Sequence, residues 1–266
     1  KRPRKASIIG NDGNEYKYLL KGNEDLRLDQ RVMQLFHLIN TQIYYDYSLT
    51  TYGMNIRTYV IIPLSSNVGL IQWVEGSDTF QSLIAEYRIV HNQNISIEHT
   101  MMIENTHSNI DMLRPIQRYE ALIKTRDQTD NGDLRKMFWL KSHSSDSWIE
   151  KITKFARSSA LMSIIGYILG LGDRHPSNFM IDRNSGDVVH IDFGDCFEVA
   201  RNRILFPEYI PFRLTRMIVN AFGTCGIEGD FRPVCEKVMM LVRENCNSLV
   251  SVLEIFVQEP IHDENN

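Results

Sequence analysis

The stretch LGLGDRHPSN at residues 169–178, followed by HIDFG at residues 190–194, decides how this sequence is interpreted. The first stretch ends an apolar run with a cluster of turn-forming residues, and a predicted strand, Phe179–Asp182, follows it. A second predicted strand, Val188–Ile191, leads into the Asp-Phe-Gly of the second stretch. Taken alone, the first stretch would be an ordinary turn. Because both stretches bracket one predicted hairpin and both carry carboxylates, the pattern favours a functional site.

Two carboxylates and an amide at the ends of one hairpin fit phosphoryl transfer. The transferring group carries dense negative charge, which a protein neutralises with metal ions held by hard oxygen ligands. The sequence predicts Asn178 and Asp192 as those ligands. Asp173 precedes Asn178 by the spacing of the protein-kinase pattern H-R-D-x-x-x-x-N, in which the aspartate takes or orients the proton of the acceptor hydroxyl. His175 follows this aspartate instead of preceding it, so the chain is not an ordinary protein kinase.

The composition is that of a globular protein, with 266 residues, 43% apolar residues and a formal net charge of −4. A mildly acidic chain has no overall positive electrostatic field that would attract a polyanion, so we expect no direct nucleic-acid binding. The four cysteines form no C-x-x-C pair, which argues against a zinc site and for reduced thiols in an intracellular protein. No unbroken apolar run reaches the ~18–20 residues of a membrane span, and no apolar signal region marks the start for secretion.

The hydrophobic pattern changes near Glu75. Before this point the sequence predicts strands around one amphipathic helix, and after it mostly helices. The predicted strands are Ala6–Gly10, Glu15–Lys21, Arg57–Ile62 and Gly69–Val74, with turns at 11–14 and 63–67 and a helix at Asp25–Tyr45. The predicted later helices are Thr79–His91, Arg114–Lys124, Ser147–Leu169, Arg213–Ala221 and Arg232–Val257. Ser147 and Glu150 match a capping box, which predicts where the third of these helices begins.

Three ordered blocks resemble the phosphatidylinositol-kinase-like protein kinases and, within that family, the target of rapamycin (TOR) kinases. The blocks are GYILGLGDRHPSN at 166–178, HIDFGDCFEVA at 190–200, and FPE at 206–208 with PFRLTRM at 211–217. The resemblance covers nearly the whole chain, and the residues after Asp-Phe-Gly favour TOR over related DNA-damage kinases. It implies an α+β, bilobal PI3K/PI4K-like protein kinase fold. Residues 1–74 would form a small β-rich N-lobe, and residues 75–266 a larger, mainly helical C-lobe.

The resemblance further implies that ATP with Mg²⁺, or Mn²⁺ as an alternative, occupies the cleft between the lobes. Lys21 would hold the nucleotide phosphates, with Glu24 or Asp29 orienting it; a solvated lysine is the alternative. Trp73 would stack on the base, against the alternative of a tryptophan that only packs between lobes. The other residues expected around the adenine are mostly core residues in any fold: Leu19, Tyr59, Ile71 and Val74 on one side, Met180 and Ile191 on the other.

Two histidines lie near these motifs. By the resemblance His175 would face the γ-phosphate and stabilise developing charge, although a loop histidine packed on its neighbours is the commoner case. His190 is expected to be structural.

The expected activity is that of a non-specific serine/threonine protein kinase of TOR type in nutrient and growth signalling. A phosphoinositide lipid kinase is one alternative, because that class shares D-R-H and D-F-G. However, residues 195–211 hold two arginines against three acidic residues, which is poor for an anionic lipid head group. An inactive pseudokinase scaffold is the second alternative, and it would need a lost metal or base residue, which the sequence does not show.

The expected partners, the expected location and the expectation that the chain is a fragment follow from the resemblance alone. A segment at about 97–126 would dock a WD40 β-propeller, beside protein substrates and larger TOR complex subunits, although packing within the chain is the commoner fate of such a segment. The expected location is the cytoplasm, and endomembranes through complex partners. The sequence begins inside the region where the family keeps its phosphate-covering loop and shows no G-x-G-x-x-G, so we expect the N-lobe to be truncated and the chain to be a fragment or a divergent short kinase.

Overall fold

The first sheet of the computed structural model, which describes residues 3–106, 113–197, 199–204 and 207–258, has four antiparallel strands. They are β1 (Arg4–Ile9), β2 (Glu15–Gly22), β3 (Ile61–Ser65) and β4 (Val68–Gln72), in the spatial order β1-β2-β4-β3. Gly13, at φ 77°, turns β1 into β2, as the Asn-Asp-Gly-Asn sequence predicts. The register pairs Lys21 with Gly69, which places Lys21 near the end of its strand.

Helix α1 (Arg27–Tyr45) lies against this sheet and contacts β3. Its apolar residues follow the helical period and are buried on one face: Val32, Leu35, Phe36, Ile39 and Ile43. A short helix, α2 (Tyr47–Thr50), follows and is capped by the side chain of Asp46. Gly69 is required here because a Cβ at this position would come within 2.6 Å of the Leu26 side chain that precedes α1.

A second antiparallel sheet contains the predicted hairpin. Its strands are β5 (Ser77–Thr79), β6 (Phe179–Asp182) and β7 (Val188–His190), in the order β5-β6-β7. The pairing of Phe179 with His190 brings the ends of the two motif stretches side by side. The hairpin forms as the sequence predicts, but β5 is an addition, because its polar residues become a strand only by pairing with β6.

The remaining described elements are mostly helical. They are α3 (Phe80–Val90), α4 (Ile97–Thr106), α5 (Pro115–Gln128), α6 (Asp133–Leu140), α7 (Ser145–Leu169), α8 (Arg216–Ala221), a 3₁₀ turn (Gly226–Glu228), α9 (Phe231–Glu244) and α10 (Cys246–Gln258). The longest, α7, buries Phe155, Leu161 and Ile165 in a core continuous with α1 and the second sheet. The α+β architecture expected from the sequence is confirmed, whereas the lobe boundary near residue 75 stays a prediction. Among the described residues, no helix has the length and apolar character to cross a bilayer.

Several predicted boundaries are wrong for local reasons. Helix α7 does not begin at Ser147, because the hydroxyl of Ser144 accepts the Ser147 N–H and caps the helix there. The predicted helix Arg232–Val257 is two helices, α9 and α10. Asn245 separates them, because its backbone, at φ −103° and ψ 20°, leaves the helical conformation; its side chain and its N–H both donate to the Leu241 carbonyl and cap the first helix.

Other differences come from tertiary contacts. Helices α4 and α6 were not predicted. The predicted helix at Arg213–Ala221 begins only at Arg216, because residues 213–215 run past the loop at 170–178, where Arg213 donates to the carbonyl of Arg174. The strand expected at Arg57–Ile62 begins at Ile61 and continues to Ser65, because the Arg57 side chain pairs with Asp182 of the second sheet.

Candidate active site

Lys21 lies at the end of β2 and is mostly buried. Its Nζ is 3.0 Å from Oε1 of Glu24 and 3.6 Å from Oδ2 of Asp192. Burial acts to lower the pKa of Lys21, but the attraction of Asp192 and Glu24 outweighs it, so the pKa lies above its usual value. A charged ammonium is therefore held at the edge of the cleft, and Glu24 is the predicted orienting residue that contacts it directly.

Asp29, in the first turn of α1, has a different position from the one expected. Its side chain is buried, and Oδ1 accepts the backbone N–H of Phe193 at 3.0 Å. Burial raises the pKa of Asp29 to about 6, against the opposing effects of that hydrogen bond and of Lys21. Asp29 thus anchors the Asp-Phe-Gly segment, and it acts on Lys21 only through its charge.

An apolar cavity of ≈ 280 Å³ lies between the two sheets. Eight of the ten residues predicted around the nucleotide line it, whereas Glu24 and Asp29 lie behind Lys21. The lining residues are Leu19, Lys21, Tyr59, Ile71, Gln72, Trp73, Val74, Thr79, Met180, Ile191 and Asp192. The predictions missed Gln72 and Thr79. Gln72 directly precedes Trp73 in the sequence, whereas the position of Thr79 depends on the pairing of β5 with β6.

Two aromatic residues shape the cavity. Trp73 is 40% exposed, and Nζ of Lys5 lies 4.7 Å from the centroid of its ring. Tyr59 is buried, and its hydroxyl lies 3.4 Å from the carbonyl oxygen of His190. Burial raises the pKa of Tyr59 well above its usual value, so the phenol is neutral. The cavity therefore has flat, uncharged walls and a cation and a carboxylate at one end, which suits a nucleotide.

The catalytic-loop residues are held close together. Nδ2 of Asn178 donates to the carbonyl oxygen of Asp173 at 2.9 Å and lies 3.3 Å from its carboxylate. The amide oxygen of Asn178 is then the atom available to a metal. The backbone N–H of Ile191, a wall of the cavity, donates to the Asn178 carbonyl at 3.2 Å. Asp173 and Asp192 both have left-handed backbones, at φ 56° and 63°, which is uncommon for residues other than glycine.

The pair of Asn178 and Asp192 fits a metal bound together with a nucleotide. Among the described residues, no group of three or more His, Cys, Asp or Glu side chains could hold a metal ion by itself. Mg²⁺ at phosphate-transfer sites needs fewer protein ligands, because one or two protein oxygens, the substrate phosphates and water complete its coordination shell. Both side chains offer hard oxygens, so the donor set suits such an ion.

The two histidines differ in environment. His175 is half-exposed, its Nε2 lies 3.8 Å from Oδ2 of Asp173, and its Nδ1 accepts the backbone N–H of Ser177. In the neutral ring the proton is therefore on Nε2. His190 is buried edge-on against Phe179, and burial lowers its pKa well below the usual value. It lies in the core, where a neutral ring packs.

Arg174 connects the two motif stretches, although the sequence predicted no role for it. The buried guanidinium donates to the carbonyl oxygens of Gly172, Ile191 and Asp192. These bonds hold the loop of Asp173 against the loop of Asp192. The position of Arg174 between Asp173 and His175 was the only sequence feature that could have suggested a role. Sequence spacing does not show which carbonyl oxygens its guanidinium reaches.

Two charged residues later in the chain, Glu208 and Arg203, also reach Asp173. The N–H of Asp173 donates to Oε2 of Glu208 at 3.0 Å. Arg203 pairs with Asp195, and its Nη1 lies 3.5 Å from Oε1 of Glu208 and 4.0 Å from Oδ1 of Asp173. From the sequence, Asp195, Arg203 and Glu208 entered only the net charge of residues 195–211. Nothing in their spacing predicts that they contact one another or Asp173.

Comparison with known proteins identifies the family. Residues 15–265 match the family described as "Phosphatidylinositol 3- and 4-kinase". The chain belongs to this family. The predicted resemblance to TOR kinases is also confirmed: the chain is 50% identical over 260 residues to Serine/threonine-protein kinase tor1 of Schizosaccharomyces pombe, and 51% identical over 260 residues to Serine/threonine-protein kinase mTor of Drosophila melanogaster. Each match covers 98% of this chain, and 11% and 10% of the two relatives respectively.

A solved structure supports the same conclusion for the fold of this kinase-family chain. The "FAT and kinase domain of CtTel1" superimposes with a TM-score of 0.79 at 31% identity, over 94% of this chain and 18% of that one. The chain spans about a tenth of the length of the curated relatives it matches. Membership of a kinase family implies a nucleoside triphosphate donor and a divalent metal, which agrees with the donors at the cavity.

Proposed function

We propose that this chain is the catalytic region of an ATP- and Mg²⁺-dependent serine/threonine protein kinase of TOR type, acting in nutrient and growth signalling. One juxtaposition carries the proposal. The cavity wall that holds Lys21 and Asp192 is hydrogen-bonded through Ile191 to the pair of Asp173 and Asn178. The pocket for the adenine, the cation for the phosphates, the two proposed metal ligands and the proposed proton acceptor therefore lie next to one another. The printed names of the relatives, which are serine/threonine-protein kinases, support the same activity.

In this proposal the adenine lies in the apolar cavity beside Trp73, and Lys21 binds the phosphates. Asn178 and Asp192 would hold Mg²⁺, with Mn²⁺ as the alternative. When bound, the metal supplies positive charge that offsets the charge of the phosphates. Glu24 keeps the Lys21 ammonium at the cleft edge, so the cation is in place before the nucleotide arrives.

The proposed reaction assigns proton transfer to Asp173. The hydroxyl oxygen of a serine or threonine attacks the γ-phosphorus, the bond to the bridging oxygen breaks, and ADP leaves. The proton of that hydroxyl passes to the Asp173 carboxylate. His175 carries its proton on Nε2, 3.8 Å from Asp173, and would donate to an oxygen of the transferring group.

Two observations favour a protein acceptor over a lipid. Of the two arginines in residues 195–211, Arg203 is paired with Asp195 and Glu208, so its charge is already compensated. A head group would meet mainly Arg201. In addition, an open groove of ≈ 490 Å³ beside Asp173 and His175 has apolar walls at Ile210, Phe212 and Leu214, which suits the side chains of an extended peptide.

The test is transfer from labelled ATP to a serine- and threonine-containing peptide and to phosphoinositide vesicles in parallel, with the full-length protein. We expect label on the peptide, and at least about 100-fold slower labelling with Asp173→Asn. Salt-sensitive labelling of the vesicles without peptide activity would make the protein a lipid kinase. Absence of label on both, with nucleotide binding intact, would make it a pseudokinase scaffold.

We also propose that the hairpin of α4 and α5, which contains most of the segment predicted at about 97–126, docks a WD40 β-propeller, and that larger TOR complex subunits are further partners. Its helices are joined by bonds from Asn105 to Thr125 and Gln128, while Ile116, Tyr119 and Leu122 on α5 are more than half exposed. Part of the predicted insertion, residues 107–112, lies outside the described residues. Tyr119→Asp should abolish co-purification of the propeller without lowering expression.

For the location in the cell we propose the cytoplasm, and endomembranes through complex partners. Imaging the tagged full-length protein tests this proposal.

A further inference from the structure

The backbone of Asp173 is held by a side chain far along the chain. Its N–H donates to Oε2 of Glu208 at 3.0 Å, across 35 positions of sequence. Asp173 has a left-handed backbone at φ 56°, a conformation that a residue with a Cβ rarely adopts unless its surroundings enforce it. An aspartate side chain leaves the backbone in a different direction in each backbone conformation. Whatever fixes this conformation therefore also directs the carboxylate.

The neighbouring amide is held from the same segment. The N–H of Gly172 donates to the carbonyl oxygen of Asp195 at 2.8 Å, and the N–H of Glu208 donates to the carbonyl oxygen of Ala200 at 3.0 Å. A Cβ on Gly172 would clash with the Cβ of Ala200, so glycine permits the close approach. Two consecutive amides of the catalytic loop thus end on the segment that runs from Asp195 to Glu208.

Arg203 makes the contact electrostatically possible. Two carboxylates near each other repel, and Glu208 brings a negative charge close to Asp173. Nη1 of Arg203 lies 3.5 Å from Oε1 of Glu208 and 4.0 Å from Oδ1 of Asp173, and the same guanidinium pairs with Asp195. One cation therefore lies between three carboxylates and reduces their mutual repulsion. It also orients Glu208, leaving Oε2 to accept the Asp173 N–H.

We infer that Glu208 is a positioning residue for the proposed base Asp173: it accepts the Asp173 N–H, fixes the left-handed backbone and so directs the carboxylate at the acceptor hydroxyl. The inference rests on the proposed function. It makes the contact of Glu208 with the loop a condition of catalysis, since the Asp173 carboxylate is directed at the acceptor only while Glu208 accepts the Asp173 N–H. Nucleotide binding does not depend on it, because neither Glu208 nor Arg203 lines the apolar cavity.

The test compares two substitutions at Glu208 in the full-length protein. Glu208→Ala removes the acceptor, and we expect kcat for peptide phosphorylation to fall about 10–100-fold, the scale of a small misplacement of a reacting group. The KM for ATP should stay within twofold. Glu208→Gln keeps a carbonyl oxygen that can accept the N–H, and it should retain most of kcat. Glu236→Ala, an exposed glutamate on α9, is the matched control and should behave like wild type.

Hydrogen exchange separates this inference from the proposed function. The peptide that contains Asp173 should exchange faster in Glu208→Ala than in wild type and Glu208→Gln, and this readout does not need kinase activity. If wild type transfers phosphate to no peptide but the exchange pattern holds, the proposed function fails and the hydrogen bond stands. If Glu208→Ala keeps wild-type kcat, or if Glu208→Gln is impaired as much as Glu208→Ala, Glu208 is not a positioning residue.

Discussion

The carboxylate of Asp29 and the backbone N–H of Phe193 form a buried hydrogen bond of 3.0 Å between α1 and the Asp-Phe-Gly segment. The ring of Phe193 also packs edge-on against Phe36 of the same helix, with centroids 5.4 Å apart. Asp192, the proposed metal ligand, is the preceding residue, so its position is set in part from α1. Any movement of α1 would therefore shift Asp192 with it.

The raised pKa of Asp29, about 6, predicts how stability depends on pH. An unfolded aspartate titrates near 3.9, so between about pH 4 and 6 the folded chain keeps a proton that the unfolded chain has released. The free energy of unfolding then falls as pH rises through this window. Asp29→Asn removes this titration and keeps an oxygen for the Phe193 N–H. Measured without nucleotide, its Tm relative to wild type should rise from pH 4 to 6 and stay higher at pH 7. The corresponding gain in the free energy of unfolding is at most about 3 kcal/mol.

Asp12→Asn is the control of opposite sign. Hydrogen bonds from Tyr16 and Asn14 lower the pKa of Asp12, so its contribution to stability is present at neutral pH and is lost as pH falls through the folded pKa. The Tm deficit of this variant should therefore shrink toward low pH. A Tm difference between Asp29→Asn and wild type that does not vary between pH 4 and 7 would show that Asp29 does not titrate in this window.

The roles proposed for Asp173 and Asp192 predict different kinetic defects. Asp173→Asn removes the proton acceptor, so single-turnover phosphorylation should slow by about 10²–10⁴-fold while nucleotide affinity changes little. Asp192→Asn removes a metal ligand, so calorimetry should show weaker binding of the nucleotide with Mg²⁺. With EDTA present, the affinities of Asp192→Asn and wild type should approach each other. Equal losses of turnover and affinity in both variants would contradict these assignments.

Local patterns predicted the centre of the fold well, because turns and amphipathic faces depend on nearby residues. The hairpin of β6 and β7 and the apolar face of α1 are examples. Strand β5 was missed since Ser77, Asp78 and Thr79 have no strand pattern and form one only beside β6. Helix α6 was missed since it has only eight residues and depends on burying Leu134, Met137 and Phe138.

The site shows the same division between local and distant information. Motif spacing and resemblance identified the residues of the cleft. Contacts such as Asp29 with Phe193 or Glu208 with Asp173 join residues 164 and 35 positions apart, and no spacing rule predicts them. They depend on how the elements pack, so they required the structure.

Trp73 is predicted to contribute to nucleotide affinity. It lies on the cavity wall, 40% exposed, where a base can stack on its ring. Stacking of a base on an aromatic side chain contributes about 1–3 kcal/mol, so Trp73→Ala should weaken nucleotide binding by about 5–150-fold. Trp73→Phe should lose much less. Nucleotide should also change the tryptophan fluorescence of wild type, and this change should disappear in Trp73→Phe.

Trp139→Phe is the matched control for this fluorescence change. Trp139 packs edge-on against Trp148 and lies outside the cavity, so the variant should keep both affinity and signal. A Trp73→Ala variant with wild-type affinity would mean that this tryptophan only packs between the two sheets.

Arg88 is predicted to hold the insertion hairpin on the rest of the chain. Its guanidinium is 3% exposed, its Nε lies 2.8 Å from Oδ2 of Asp133, and its Nη1 lies 2.8 Å from Oε2 of Glu98. Arg88→Met leaves the buried Asp133 carboxylate without a cation, which should cost about 3–5 kcal/mol. Urea denaturation followed by Trp139 and Trp148 fluorescence measures this loss. Replacing both partners, as Arg88→Met with Asp133→Leu, should recover most of it, because a buried apolar pair carries no unpaired charge.

Arg232 provides the comparison that makes the prediction about Arg88 specific. It also contacts two carboxylates, Glu228 and Glu236, but its side chain is 59% exposed. Exposed pairs are screened by water and contribute about 0–1 kcal/mol, so Arg232→Met should change the urea midpoint little. Each arginine has two acidic partners, so the difference in lost stability between Arg88→Met and Arg232→Met measures the effect of burying the charged group. If Arg88→Met costs no more than Arg232→Met, Asp133 is not held as a buried charge, and Arg88 does not anchor α4 to α6.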